Sequence, residues 1–593
     1  MSDPRLRTGI GVSPGIAIGP AYVMSTEMPE ITRRAISSDE VETELFRLRK
    51  AISDVSRELD LLREHTLIHA GKEESKIFSA QILMLEDPYF LGEVETLISE
   101  NQLTAERAFE FKVLEMRDQW AQSSSATLRQ KTADLTGIQI RVLQALLGGS
   151  LEEVLHGSDD RPAIVLMRDL TPGLTIQFEQ SAVSGLGSEH GTRASHAAII
   201  ARSLEIPCVM GLAGGVDDIP RGATVILDGT HGTILFDPTD EEIAAAHVRE
   251  GQRLALDSEL KDAVGQPCVT ADGTAVTLRG NVDLPEEIEV VSEYGADGVG
   301  LLRTEFLLIG RNEMPEEDEQ FEFFTRLARW FPTQPIVIRS YDVGGDKFPA
   351  AFRAQREANP FLGWRAIRVC LDEPEMFRAQ IRAVLRTRAI ADVRYMLPLV
   401  SQIEEIERSR ELVAEEMEAL ERDGIEFGAD LPLGVMVETP AAAMMVDQFA
   451  EQSAFISVGT NDLTQYTLAI DRGNARMANR FSALHPAVVR LLKQIADSSA
   501  RANLEVSVCG EMASEPLSLL LLLGLGYRVV STSPVTLPLV RWLVRQFDLA
   551  TAQRAAETAL EAPTARDVHE ILEWRLSELV DLELLDLGAL PGS

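Results

Sequence analysis

Leu433-Gly434-Val435-Met436-Val437-Glu438-Thr439-Pro440 opens with a short apolar run that closes on the carboxylate Glu438. Apolar runs of this length, bounded by polar or turn residues, read as buried strands. Seven further runs of the same kind occur in the second half of the chain: Val276–Val282, Gly298–Arg303, Ile336–Tyr341, Val393–Leu399, Phe455–Asn461, Glu505–Glu511 and Arg528–Ser533. Helical patterns lie between them. Eight strand–helix repeats over about 250 residues match a (β/α)8 barrel.

The repeats stop upstream of residue 266. Residues 239–262 are charged and Ala-rich, a helix that reads as a linker. Residues 150–237 change character, with buried-strand runs at Ala163-Ile164-Val165-Leu166 and Thr224-Val225-Ile226-Leu227. From Ser38 to Gly148 there is almost no Gly or Pro, and Val41, Leu45, Leu48 and Ile52 recur at helical spacing. Residues 9–24 alternate Gly, Pro and small apolar residues, a short strand and tight turn. The expected organisation is multidomain α/β. Segments 1–30 and 146–237 form an N-terminal α/β domain, 31–145 an inserted helical bundle, 238–265 a helical linker and 266–593 the barrel.

In such barrels the reacting groups sit at the C-terminal ends of the strands. The run ends place Asn281, Arg303, Arg339, Glu438, Asn461, Asp462 and Cys509 on one rim. Paired arginines suit a phosphate and a carboxylate, because the guanidinium fork donates two hydrogen bonds to either. Glu438 and Asp462 suit Mg²⁺, which takes one or two carboxylates plus water and substrate oxygens. Arg472 is either a third cation of the site or a surface loop residue. Cys509 is either a packing thiol or, near a bound anion, a proton donor. The substrate is expected to be small, anionic and phosphorylated.

A second constellation is Gly191-Thr192-Arg193-Ala194-Ser195-His196-Ala197-Ala198. Ser195 reads as the N-cap of a helix whose first turn carries His196. Free N–H groups and the helix dipole at such a terminus stabilise an attached phosphoryl group. On spacing alone, His196 is also readable as a cap residue, and His190 is an equal candidate.

Composition narrows the partners. Lys+Arg is 56 and Asp+Glu 93 among 593 residues, a net charge of −37. Nucleic acid is a poor partner for that surface, since phosphate contacts to cations dominate its affinity. The four cysteines, Cys208, Cys268, Cys370 and Cys509, are too scattered for a zinc knuckle or a disulfide framework. The most apolar run, Leu517–Leu525, is too short for a membrane span. The N-terminus leads into no apolar signal core, and the chain is expected in the cytoplasm without membrane insertion.

The segments Gly300-Leu301-Leu302-Arg303-Thr304-Glu305-Phe306, Asn359-Pro360-Phe361-Leu362-Gly363-Trp364-Arg365-Ala366, Val435–Pro440 and Gly459-Thr460-Asn461-Asp462-Leu463-Thr464-Gln465-Tyr466 resemble signatures of one family. This is enzyme I of the bacterial phosphotransferase system, the phosphoenolpyruvate–protein phosphotransferases, and the resemblance covers nearly the whole chain. It implies that His196 is phosphorylated. Arg303, Arg339, Asn461 and Arg472 would bind phosphoenolpyruvate, Glu438 and Asp462 would ligate Mg²⁺, and Cys509 would protonate the enolate. It also implies a histidine-containing phosphocarrier protein docking on the helical insert, and a homodimer formed through the barrel domain. Pyruvate phosphate dikinase and phosphoenolpyruvate synthase share the histidine and barrel segments but need an ATP-binding domain, for which no Gly-rich loop is found in the first 150 residues. Four positions depart from the family pattern. Ala194-Ser195-His196-Ala197 replaces Thr-Ser-His-Thr, His190-Gly191 replaces Gly-Gly, and Gln81 stands where histidine is common.

Overall fold

A computed structural model of the chain describes residues 3–24, 34–69, 72–121, 132–147, 162–170, 183–192, 195–216, 218–220, 222–308, 311, 313–344, 357–472, 474, 476–477, 480–582 and 585. They form two compact units, residues 1–254 and 255–593.

The second unit contains a closed barrel of eight parallel strands: β9 (Thr277–Val282), β10 (Val299–Leu302), β11 (Ile336–Arg339), β12 (Val393–Leu397), β13 (Leu433–Val437), β14 (Phe455–Val458), β15 (Glu505–Val508) and β16 (Val529–Thr532). β16 pairs with β9 and closes the ring. Every residue of β10, β11, β13 and β14 is buried, as expected of parallel strands covered on both faces. The eight runs read from the sequence are these eight strands. Helices cover the outside through apolar stripes; on Pro486–Arg501 the buried Val488, Val489, Leu492, Ile495, Ala496 and Ser499 follow helical spacing. The apolar run at Leu517–Leu525 belongs to a helix, Pro516–Leu525, with leucines buried all round it. Among the described residues no helix is long and apolar enough to cross a membrane.

The opening stretch shows how one repeat turns from strand to helix. β13 ends at Val437, and Glu438 follows. The Thr439 hydroxyl then accepts from the Ala442 N–H, and Pro440 occupies the first helical position of Pro440–Met444.

The first unit carries an eight-stranded sheet in the order β1-β8-β7-β3-β4-β5-β6-β2. These strands are β1 (Leu6–Thr8), β2 (Ile10–Ser13), β3 (Ile16–Met24), β4 (Ala163–Asp169), β5 (Val183–His190), β6 (Cys208–Met210), β7 (Thr224–Asp228) and β8 (Thr233–Phe236). The N-terminal strands complete a sheet built mainly from residues 163–236, so the helices between them are an insertion. Those described are Val41–His69, Lys72–Leu85, Pro88–Ser99, Ala105–Ala121 and Thr132–Leu147. They enclose a core that includes Leu48, Val55, Leu59, Phe90, Val94 and Phe109. Phe90 and Phe109 meet edge to face at 5.7 Å.

Candidate functional site

The strand ends of the barrel open onto a cavity of about 1170 Å³. Arg303, Arg339, Glu438, Asn461, Asp462, Arg472 and Cys509 all line it, as does Asn281. The residues singled out in the barrel sequence thus come together in one place. Their local settings differ from the sequence reading in one respect. Asn461 and Asp462 do not end a strand: β14 stops at Val458, and both lie in the first turn of the helix Thr460–Leu468. Gly459 interrupts the strand, and the chain turns into the helix at the cavity wall.

Each arginine meets carboxylates. Arg303, directly after β10, donates to Asp283 at 2.7 Å. Arg339, the last residue of β11, donates to Glu305 at 2.9 Å and lies 3.2 Å from Asp342. Its backbone carbonyl accepts from the Thr304 hydroxyl at 3.0 Å. Burial alone would lower the Arg339 guanidinium, but the charges of Glu305, Asp342 and Glu438 hold it above its ordinary value. Arg365 donates to Asp342 at 2.7 Å and stands 4.0 Å from Asp462. Arg472 contributes from an exposed position, and its backbone N–H donates to Gln465.

Sequence reasoning did not single out Glu305, Asp342 and Arg365. Glu305 and Arg365 lie inside the quoted family segments, and Asp342 directly follows the strand-like run Ile336–Tyr341. Those positions were the available signal.

Glu438 is 1% exposed, and one of its oxygens accepts from the Leu399 N–H. Burial pushes its carboxyl well above the usual range, and the neighbouring charges of Asp462 and Asp342 push it further. The cavity lining holds eight acidic residues against four arginines. An anionic ligand therefore needs an added cation, and Glu438 with Asp462 offers hard oxygen donors for one. The donor set fits a divalent metal that completes its coordination with water and substrate oxygens. Among the described residues there is no cluster of three or more His, Cys, Asp or Glu that would form a closed protein cage.

Cys509 follows β15 and is 5% exposed. Its thiol donates towards the Val458 carbonyl at 3.6 Å. Burial raises the thiol, so it is protonated at neutral pH and has a proton to give. Gly510 lets the chain pass close by the helix Thr460–Leu468: a Cβ there would stand 1.9 Å from the Thr460 hydroxyl oxygen.

In the first unit, His196 opens the helix His196–Ser203, and the Ser195 hydroxyl accepts from the Ala198 N–H, as the sequence predicts for an N-cap. Ala198 and Ala201 pack towards the sheet, whereas Ile200 joins the core of the helical insert. Ala197 is 2% exposed and belongs to the sheet-side core. The position that lacks the family's hydroxyl is therefore a packing position here. Ala194 lies outside the described residues. His190 ends β5, exposed, 3.4 Å from Asp169. Gln81 lies on the helix Lys72–Leu85.

Three domain models of PEP-utilising enzymes match the chain: the N-terminal domain at residues 8–131, the mobile domain at 159–232 and the PEP-binding domain at 257–549. The phosphoenolpyruvate-protein phosphotransferase of Geobacillus stearothermophilus is 36% identical over 560 residues, 94% of this chain and 96% of the relative. That of Bacillus subtilis (strain 168) is 35% identical over 94% of this chain and 98% of the relative. That of Listeria monocytogenes is 35% identical over 96% and 99%.

Proposed function

The chain belongs to the phosphoenolpyruvate–protein phosphotransferase family, and from that premise we propose that it passes the phosphoryl group of phosphoenolpyruvate through His196 to a histidine-containing phosphocarrier protein. It is an enzyme that releases pyruvate in the first step of phosphotransferase-system sugar uptake or regulation. The observation that carries this reading is the meeting of arginine forks, two hard carboxylates and a protonated thiol in one barrel mouth.

In the proposed cycle Arg303 and Arg339 bind the phosphate and carboxylate of the substrate, with Asn461 and Arg472 beside them. Glu438 and Asp462 would hold a divalent cation, read as Mg²⁺, which would supply positive charge to the phosphoryl oxygens. His196 attacks phosphorus in line, and the arginines stabilise the charge that develops on the transferring group. Cys509 gives its proton to the enolate carbon. At the helix start, the N–H groups and the dipole suit a phosphorylated His196.

The same reading assigns the phosphohistidine domain to residues 1–30 and 146–237 and carrier docking to residues 31–145. Residues 238–265 are the linker, and 266–593 bind phosphoenolpyruvate and form the homodimer. It also takes the chain to be a cytoplasmic protein without membrane insertion. The charge of −37 disfavours nucleic acid.

Incubation with labelled phosphoenolpyruvate and Mg²⁺, without ATP, tests the proposal. One acid-labile phosphate per chain is expected, and His196→Ala should abolish it. A label that survives the substitution refutes the role of His196.

A further inference from the structure

Asn281 lines the cavity, yet its side chain is committed to the protein. The Nδ2 amide donates to the Cys509 carbonyl at 3.1 Å and to the Ser531 carbonyl at 3.4 Å. Its Oδ1 accepts from the Ser531 hydroxyl at 2.6 Å. The paired residues of β15 and β16 end at Val508–Val530. The Asn281 amide spans the next step of the two strands, like one further rung laid across from β9. On the other side the Cys509 N–H donates to the Val458 carbonyl at 3.1 Å. The peptide groups before and after Cys509 are thus held from opposite directions, and both backbone torsions of the residue are fixed.

We infer that Asn281 is a positioning residue for the Cys509 thiol, holding the Cys509 carbonyl so that the proton is delivered to one face of the enolate. This rests on the reading of Cys509 as proton donor. In that step the enolate electron pair takes the proton from Sγ, a C–H bond forms, the S–H bond breaks, and the thiolate regains a proton from solvent. Delivery to a single face requires Sγ to stay on one side of the bound enolate, and a misplacement of about 1 Å is enough to slow the step about 100-fold. A thiol on an untethered strand end cannot meet that requirement.

The test follows turnover of phosphoenolpyruvate carrying deuterium at one defined C3 position, in tritiated water, with excess carrier protein. The configuration of the methyl group of pyruvate is then read. The wild-type enzyme is expected to give one configuration. Cys509→Ala should give a racemic methyl group; if it keeps one configuration, the proton-donor reading fails, whatever Asn281 does. Given a racemic Cys509→Ala product, Asn281→Ala should also lose facial selectivity and lower kcat at least ten-fold, with KM for phosphoenolpyruvate within two-fold. Asn281→Asp keeps the size and the acceptor for Ser531 but cannot donate to the Cys509 carbonyl, and it should behave like Asn281→Ala. The double variant Asn281→Ala/Cys509→Ala should be no slower than Cys509→Ala. Retained selectivity with a raised KM in Asn281→Asp would overturn the inference and make Asn281 a substrate contact. Should Asn281→Ala fail to fold, Asn281→Asp alone decides.

Discussion

Arg303 donates to Asp283 across 2.7 Å, so an arginine proposed to bind phosphate already holds a carboxylate partner. A substrate oxygen has to displace that partner. Both side chains are more than 40% exposed. Exposed pairs are worth at most about 1 kcal/mol, a factor of about five. Asp283→Asn is therefore expected to lower KM for phosphoenolpyruvate by up to about five-fold, with kcat little changed. The gain should shrink at high salt, since screening already weakens the pair. Steady-state kinetics at two ionic strengths check this; a raised KM would mean that Asp283 aims Arg303 and does not compete for it.

Glu438 and Asp462 repel one another at a wall where Glu438 is fully buried. A bound cation relieves that repulsion, and so does an amide. Glu438→Gln is expected to cut kcat/KM about 100-fold and to raise the metal concentration needed for half-maximal activity. Without metal, however, the variant should melt no lower than the wild type, because a crowded carboxylate is gone while an oxygen remains to accept from Leu399. A large drop in melting temperature would make Glu438 a structural group first.

Much of this site was legible in the sequence because parallel strands buried on both faces read as unbroken apolar runs. A polar residue that closes such a run, as Glu438 and Cys509 do, stands out against it. The arginines' partners do not stand out in this way. Glu305 reaches Arg339 over 34 residues from the start of a short 3-10 helix, and Asp342 reaches Arg365 over 23 from an irregular segment, and neither has an apolar period of its own. Asn461 and Asp462 lie at the rim but in a helix and not at a strand end, since a short apolar run does not show where Gly459 turns it into a helix. Ser195 was readable as a cap from its place before an apolar helix. The burial of Ala197 was not, because it depends on the sheet packed beneath it.

The close approach of Gly510 and Thr460 links the loop that follows Cys509 to the helix that carries Asp462. An added Cβ at Gly510 would meet the Thr460 hydroxyl oxygen at 1.9 Å and its backbone nitrogen at 2.7 Å. The backbone contact cannot be relieved by a side-chain rotation. Gly510→Ala is expected to displace Cys509 and Asp462 from each other and to lower kcat about 100-fold, the scale on which a 1 Å misplacement acts. Adding Thr460→Ala should recover only part of the loss. Full activity of Gly510→Ala would show that the two segments move independently.

At the opposite ends of the strands, inside the barrel, Glu505 accepts from Arg279 and Arg394, each at 2.9 Å. Arg279 is only 4% exposed and has Glu505 as its counter-charge. Burial would raise the Glu505 carboxyl, but the hydrogen bonds and charges of the two arginines hold it below its ordinary value. A carboxyl lowered by folding contributes stability above its unfolded pKa, about 4.3, and loses that contribution as pH falls through the lower folded value. Glu505→Gln leaves Arg279 buried without a counter-charge and should cost about 3 kcal/mol at pH 7. Protonation of the wild-type carboxyl does the same thing at acid pH. The stability gap between wild type and Glu505→Gln, measured by chemical denaturation followed in the barrel, should therefore be widest at neutral pH and narrow below about pH 4. A gap that stays constant with pH would mean that Glu505 holds the two arginines by packing and not by charge.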